Sequence, residues 1–407
     1  MDEHRIPSTL KILIATDTYP PDLNGAAYFS YRLATLFASR NHEVSVICPS
    51  QSIGKQEVMR QGVRVLGVPS FRLYYLYPSM RFSPPLFAKR SIRKFLCQNR
   101  PDVIHIQNHF LVARAVFEVA QELGIPIMGT NHMMPENIAH HLHLPPKAEF
   151  QVGRYLWARY VQISKHLDIV TAPTATAAKY SSRPGLGKEV IPVSSGLDLN
   201  RFHPRNSGRE LKIRFKIPDR SIILAAGRLD KEKRVEVIIR AMPEIIEKVD
   251  AHLVVAGRGK LLGELKHLIR NLGITDRVTF TGFIPDEELP NIYDLADLFV
   301  MPGIAELQSL VTMEAMASGL PVVAADAMAL PELVHHGENG FLFPPDDSHA
   351  LAAAAVKILS DESLRNRMGK KSLEIIQIHD INQVVVEYER LYMQIAGVEQ
   401  RAAQAAV

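Results

Sequence analysis

The stretch 303–326, GIAELQSLVTMEAMASGLPVVAAD, sets two carboxylates, Glu306 and Glu314, eight positions apart among apolar or small residues. A carboxylate taken out of water needs hydrogen-bond donors. Ser309 is placed to cap a helix from Leu310 to Ser318, and Gly319 to stop it. Such a helix leaves the backbone N–H groups of Leu310 and Val311 without partners inside the helix, which makes an anion site. Glu314 falls one turn further on, on the same face as Leu310. Its neighbours Val311, Met313, Ala315, Met316 and Ala317 mark a buried helix. Two vicinal hydroxyls, as on a ribose, would supply donors to it. Glu306 sits in the loop before the helix, toward the far end of a bound diphosphate. The plainer alternative, two solvated surface charges, fits Glu314 poorly because the helix holds so few other polar residues.

Other residues of the same kind recur wherever an apolar run ends. In AAGRLDKEKRVEVIIRAM, Arg228 and Lys233 follow a strand and precede a helix near Val235. A planar fork and a point charge at such a loop suit a diphosphate. A solvated loop of mixed sign is the alternative there, and Lys231 and Arg234 fit it better. VVAGRGK offers Gly257 and Arg258, and FTGFIP offers Gly282, Phe283 and Ile284, as backbone partners for a base. Near the N-terminus, Asn24-Gly25 opens a helix, and a glycine there lets an anion approach backbone N–H groups. Tyr28 lies on the same helix. GTNHMMPEN places Asn131 and His132 just past a strand, and DVIHIQNHF does so for Asn108, with His105 inside the strand pattern as a structural residue. Each of these loops also reads as an ordinary strand-to-helix turn, and a lone histidine is more often structural.

These loops need elements to position them. KILIATD, EVSVICP, VRVLGVP, DVIHIQ, IPIMGT and DIVTAPT recur through the first half, and SIILAAG, AHLVVAG, RVTFTG, DLFVMP and LPVVAAD through the second. They are continuously apolar, as parallel strands covered on both faces are. Alternation with helical stretches predicts an α/β protein with two Rossmann-like, doubly wound parallel-sheet domains facing across a cleft, with ligands at the carboxyl ends of the strands. Residues 198–212, DLNRFHPRNSGRELK, break the pattern. The expected domains are 1–200 and 208–381, with a last helix about 382–396.

The chain has 407 residues, 47% apolar and 22% charged, and no apolar run near the ~20 residues of a membrane span. Two cysteines, Cys48 and Cys97, lack disulfide or metal-ligand spacing. No secretory signal is evident. A cytoplasmic protein is expected, peripheral on the inner face of the cell membrane if it meets one. Charge is uneven: residues 1–200 hold 22 Lys+Arg against 14 Asp+Glu. Within 58–101 there are nine Lys or Arg and no acid, interleaved with aromatics such as Phe71, Tyr74, Tyr75, Tyr77 and Phe82. Basic residues add ~1 kcal/mol each near an anionic bilayer, and aromatics suit its interface. An anionic membrane surface is therefore the expected partner of 58–101. A solvated helix beside tyrosines that line an acceptor groove is the alternative. Nucleic acid is not expected, since no nucleic-acid motif accompanies the charge.

Taken jointly, Glu306-x7-Glu314 before AMASGLPVVA, GRLDKEK, and IPVSSGLDLNRFHP resemble the family 4 retaining glycosyltransferases of the GT-B fold, over nearly the whole chain. The resemblance implies a nucleotide-sugar donor as co-substrate on the C-terminal domain and an acceptor on the N-terminal domain. It implies no cofactor and no required metal, and a last helix that crosses back to the N-terminal domain. Carried over by position, Arg228 and Lys233 match the diphosphate pair and Glu314 the ribose ligand. Glu306 matches the glutamate beside the donor sugar, Leu310 and Val311 the phosphate-binding N–H groups, and Gly25 the first-loop glycine. His132 matches a histidine near the reacting centre. Arg228, Lys233, Glu306 and His132 form the expected catalytic set. Ser309, Gly257, Arg258, Gly282, Phe283 and Ile284 join the donor site, and Tyr28, Asn108, Asn131 and His132 the acceptor side. Departures are Leu307-Gln308-Ser309 where glycines are frequent, Asn24-Gly25 where two glycines are, and Arg234 where glycine is. TNHMMPEN and the Ala305–Val334 stretch are similar to bacterial enzymes that glucosylate diacylglycerol or mannosylate phosphatidylinositol. The favoured reading is hexose transfer, glucose from UDP-glucose, to a membrane lipid such as diacylglycerol. GDP-mannose-dependent mannosyl transfer to phosphatidylinositol or a soluble glycan, a nucleotide-sugar epimerase, and a non-catalytic binding protein remain as alternatives.

Overall fold

The computed structural model of the protein describes residues 9–22, 24–52, 54–72, 81–136, 145–205 and 208–397. Two compact units account for them. One runs to Ser195 and takes up the chain again from Val384, and the other is Gly196–Gln383.

The first unit is built on a sheet whose strands are the expected apolar runs: β1 (Lys11–Thr16), β2 (Glu43–Pro49), β3 (Gln56–Arg60) and β4 (Val63–Val68). A small ribbon, β5 (Phe71–Arg72) with β6 (Arg81–Phe82), stands apart, and β7 (Val103–Gln107), β8 (Ile127–Thr130), β9 (Ile169–Ala172) and β10 (Val190–Pro192) complete the sheet. The order is β10-β9-β8-β7-β1-β2-β4-β3, and every pairing is parallel except β3 with β4. Helices such as Gly25–Ser39 and Leu111–Glu122 bury one face each against it. The last helix, Ile381–Ile395, enters this core through Tyr388 and Tyr392, both wholly buried. Glu389 pins it: the carboxylate accepts from Arg40 at 2.6 Å and from His42 Nε2 at 2.6 Å. Burial opposes ionisation of Glu389, but Arg40 and His42 outweigh it and hold its pKa below the usual range.

The second unit holds β11 (Ser221–Ala226), β12 (Ala251–Ala256), β13 (Val278–Gly282), β14 (Leu298–Met301), β15 (Val322–Ala325) and β16 (Gly340–Phe343), all parallel, in the order β13-β12-β11-β14-β15-β16. The strand order reverses between β11 and β14 here, and between β1 and β7 in the first unit. Those switch points are where open α/β sheets bind ligands. Residues 196–205 belong to this unit, so it begins earlier than the expected 208. Leu197 and Phe202 are buried in its core, and Leu197 exchanges backbone hydrogen bonds with His379 and Ile381.

Candidate active site

At the β11/β14 switch point, a shallow depression is lined by Gly227, Arg228, Lys233, Met301 and Pro302, among others. The loop after β11 turns through a 3-10 segment, Lys231–Lys233, then Arg234 in the left-handed region (φ 52°), into the helix Val235–Ile246. The loop after β14 is tied to it by Ile304 N–H donating to the Glu232 carbonyl at 3.1 Å.

Lys233 and Glu306 meet there: Nζ lies 2.5 Å from Oε1. Both are largely withdrawn from solvent, with side chains 18% and 8% exposed. A lysine and a glutamate 73 positions apart thus form one charged unit at the strand ends. Arg228 is more open, at 49% exposure, and its guanidinium is spread over Asp230 and Glu232, the latter at 2.6 Å.

The helix Leu310–Ala317 buries Thr312, Met313, Ala315, Met316 and Ala317, leaving Leu310, Val311 and Glu314 as its part-open positions. Glu314 is therefore half-buried, not sealed as its neighbours implied. Its Oε2 accepts from the wholly buried Tyr293 hydroxyl at 2.6 Å. Burial, then Glu314 itself, drives the Tyr293 pKa well above normal, so it stays a donor. Ser309 occupies the N-cap position but does not cap with its side chain; its Oγ accepts from Thr312 Oγ1 at 2.8 Å instead. The first intrahelical bond is Met313 N–H to the Ser309 carbonyl, so the N–H groups of Leu310 and Val311 precede the ladder, as an anion site requires. Gly319 (φ 79°) ends the helix after Ser318.

The loops after β12 and β13 stack beside the β11 loop. Gly257 (φ 144°) donates to the Gly282 carbonyl at 2.8 Å, and a Cβ at Gly257 would lie 1.8 Å from the Gly227 carbonyl oxygen, so no larger residue fits. Arg258 and Phe283 are both exposed, the guanidinium 5.7 Å from the ring centroid, while Ile284 is buried.

In the first unit His132 is held from two sides. Its backbone N–H donates to Asn108 Oδ1 at 3.2 Å, and its Nε2 lies 2.6 Å from Gln107 Oε1. The ring packs on Phe29 with centroids 4.8 Å apart. Burial lowers its pKa to about 4. Asn131, expected to face an acceptor, is instead buried, and its amide donates to Ser181 at 2.9 Å as a loop anchor. Asn108, in the left-handed region, is part-exposed, and so is Tyr28. The loop's far end is clamped where Glu136 accepts from Trp157 Nε1 at 2.9 Å and from the Tyr180 hydroxyl at 2.7 Å.

Gly25 starts its helix as expected, but Asn24 already caps it: Oδ1 accepts from Ala27 N–H at 2.9 Å. Asp17, which follows β1, was not legible as a site residue. Its Oδ1 accepts from Val112 N–H at 2.7 Å, and burial raises its pKa to about 6 against the pull of four backbone N–H groups. Only its place after the apolar run of β1 could have marked it.

The basic run 58–101 is less cationic on the surface than in sequence. Arg64 pairs with Glu57, Lys89 with Glu118 and Arg93 with Glu122, while Arg81 is buried against Ser70. Among the described residues, Arg60, Arg90, Lys94 and Arg100 are exposed with no acidic partner, Arg100 donating only to the Gly124 carbonyl. Tyr74, Tyr75 and Tyr77 lie outside the described residues. No described helix is long and apolar enough to cross a membrane.

Two family models match this chain side by side: Glycosyltransferase Family 4 over residues 23–201 and Glycosyl transferases group 1 over 209–374. Among curated relatives, it is 28% identical over 375 residues to alpha-monoglucosyldiacylglycerol synthase of Streptococcus pneumoniae, covering 90% of this chain and 82% of that one. It is 28% identical over 333 residues to sulfoquinovosyl transferase SQD2 of Arabidopsis thaliana, covering 78% of this chain and spanning 61% of the plant protein's length. Among solved structures, sucrose-phosphate synthase of Thermosynechococcus elongatus superimposes with a TM-score of 0.78 at 20% identity, over 95% of this chain and 100% of that one. Two parallel-sheet α/β domains, each with a strand-order reversal, have the GT-B fold. The chain belongs to the family 4 glycosyltransferases.

Proposed function

We propose that this transferase moves a hexosyl group, with retention, from a nucleoside diphosphate sugar to a hydroxyl of a membrane lipid, needing no metal ion. UDP-glucose and diacylglycerol are the favoured pair; GDP-mannose with phosphatidylinositol is the alternative. The observation that carries the reading is the Lys233–Glu306 pair at the β11/β14 switch point, beside the N–H groups that open the helix Leu310–Ala317. A diphosphate seated there meets Lys233, Arg228 and two backbone donors, while Glu306 is left to a sugar hydroxyl. Glu314, with Tyr293 behind it, suits a ribose. The loops at Gly257 and Gly282, with Arg258 and Phe283 exposed, suit the base.

The chemistry then rests on stabilising the departing diphosphate. The bond from the anomeric carbon to the phosphate oxygen breaks as the acceptor oxygen attacks on the same face. The acceptor's proton passes to the departing phosphate. One such preorganised donor is worth about 10²–10³ in kcat. Membrane contact is assigned to the unpaired cations Arg60, Arg90 and Lys94 with the exposed Phe71, Val58 and Met59.

The test is a panel of nucleotide sugars offered with extracted lipids, with soluble glycans and with no acceptor, read by mass spectrometry. Glycolipid formed from one donor supports the reading. Product with soluble glycans alone removes the lipid, and an isomerised sugar nucleotide in the donor-only arm makes the protein an epimerase.

A further inference from the structure

Behind His132 a chain of buried polar groups runs to the last helix. Gln107 Nε2 is 3.1 Å from His105 Nε2, and His105 Nδ1 is 2.6 Å from the Tyr392 hydroxyl. Thr130 Oγ1 lies 2.6 Å from the same His105 Nε2 and 2.6 Å from Thr171 Oγ1, and Thr171 reaches the Gly129 carbonyl at 3.4 Å. Gln107, His105, Tyr392 and Thr171 are 0% exposed and Thr130 2%. Burial lowers the His105 pKa to about 3 and that of His132 to about 4, so each ring carries one proton.

The protons can be arranged in two ways. If the Gln107 nitrogen faces His105, then His105 accepts at Nε2 and donates from Nδ1 to Tyr392. The phenol proton of Tyr392 then has no acceptor among the described residues, which a fully buried hydroxyl resists. If the amide is turned over, exchanging oxygen and nitrogen in place, the phenol proton is served, and the second Gln107 N–H lacks an acceptor among the described residues equally in both arrangements. Tyr392 donates to His105 Nδ1, His105 Nε2–H to Thr130, Thr130 to Thr171, and Thr171 to the Gly129 carbonyl. Gln107 then presents its oxygen to His105 and its N–H to His132 Nε2.

We infer that Tyr392, His105 and Gln107 are positioning residues that fix the tautomer of His132, placing its ring proton on Nδ1. Nε2 accepts from Gln107, and Nδ1, which has no partner among the described residues, is a hydrogen-bond donor. His132 can then give a hydrogen bond to a sugar or acceptor oxygen but cannot take a proton at that nitrogen. Only this last consequence rests on the transferase reading; the tautomer itself does not.

The test is ring-¹⁵N spectroscopy of the histidine-labelled full chain near pH 7.5, with the His132 signals assigned by their loss in His132→Gln. The expected spectrum has a protonated Nδ1 and a bare Nε2. A protonated Nε2 overturns the inference. Tyr392→Phe keeps the packing and removes the phenol proton, so the His132 signals should move toward the Nε2–H form. Gln107→Met removes the link without touching the last helix and should do the same. If both variants fold and leave the Nδ1–H signature unchanged, the relay does not set it. These outcomes are read without turnover, so they stand whether or not glycosyl transfer is found.

Discussion

Replacing Lys233 with alanine should damage the protein in two separable ways. Lys233 neutralises Glu306 at 2.5 Å, and the carboxylate keeps only 8% of its exposure. Stranding a fully buried charge costs 3–5 kcal/mol. The 18% exposure on the lysine side admits some water, so ~2 kcal/mol is the better figure here. For a unit the size of Gly196–Gln383 that is roughly 4–8 °C in Tm. Turnover should fall independently, by about 10²–10³, because the departing diphosphate loses its main cation. The double variant Lys233→Met with Glu306→Gln removes both charges and retains the side-chain shapes. It should regain most of the lost Tm and none of the lost activity. Thermal unfolding followed by circular dichroism, with turnover from donor consumption and glycoside formation, reads both quantities. Near wild-type turnover in Lys233→Ala refutes the phosphate role. Turnover that returns with stability in the double variant makes the pair structural only.

Glu314→Ala strips the buried Tyr293 hydroxyl of its acceptor, so it should cost ~1–3 kcal/mol and weaken nucleotide binding; Tyr293→Phe in addition should restore stability but not binding, as calorimetry would show. In the first unit the buried His105, His109 and His132, with pKa lowered to about 3, about 4 and about 4, contribute stability above pH 6.5 that is lost as pH falls, because the unfolded rings take up protons first. Asp17, raised to about 6, acts in the opposite sense between about pH 4 and 6, since the folded carboxyl binds its proton more tightly. Among these four groups the net of about two protons predicts a fall near ~2.7 kcal/mol per pH unit over that window, steeper by ~1.4 kcal/mol per pH unit in Asp17→Asn; equal slopes in the two proteins would exclude the Asp17 assignment. On anionic vesicles, Arg90→Glu with Lys94→Glu should weaken sedimentation by at least tenfold, from ~1 kcal/mol per cation lost, while Lys89→Gln with Arg93→Gln should change it far less because Glu118 and Glu122 already neutralise them.

Both sheets were legible because their strands are short, continuous apolar runs, which only a doubly covered parallel sheet requires. The strands that were missed lack that signal. β3 is exposed along its whole length, β10 is three residues long, and β16 is a glycine-led GFLF. Glu306, Lys233 and the start at Leu310 were readable from type and position after strand ends. That Lys233 and Glu306 touch was not readable, because the contact depends on how two loops fold over adjacent strands. Tyr293 is silent in sequence for the same reason: it sits in a short helix far from Glu314 and reads as core. The basic run is less cationic at the surface than in sequence because two of the acids that pair with it, Glu118 and Glu122, lie on another helix. Sequence shows where cations are, and packing decides which remain charged toward solvent.

The central claim, hexosyl transfer with retention through the Lys233–Glu306 site, is tested most directly by the anomeric configuration of the product. Purified protein given UDP-glucose and diacylglycerol vesicles, with GDP-mannose and phosphatidylinositol in parallel, is followed by proton NMR. The account predicts a glycolipid with the donor's own anomeric configuration, one nucleoside diphosphate released per linkage, and neither product in Lys233→Ala. An inverted anomer, or an isomerised sugar nucleotide formed without acceptor, would contradict it.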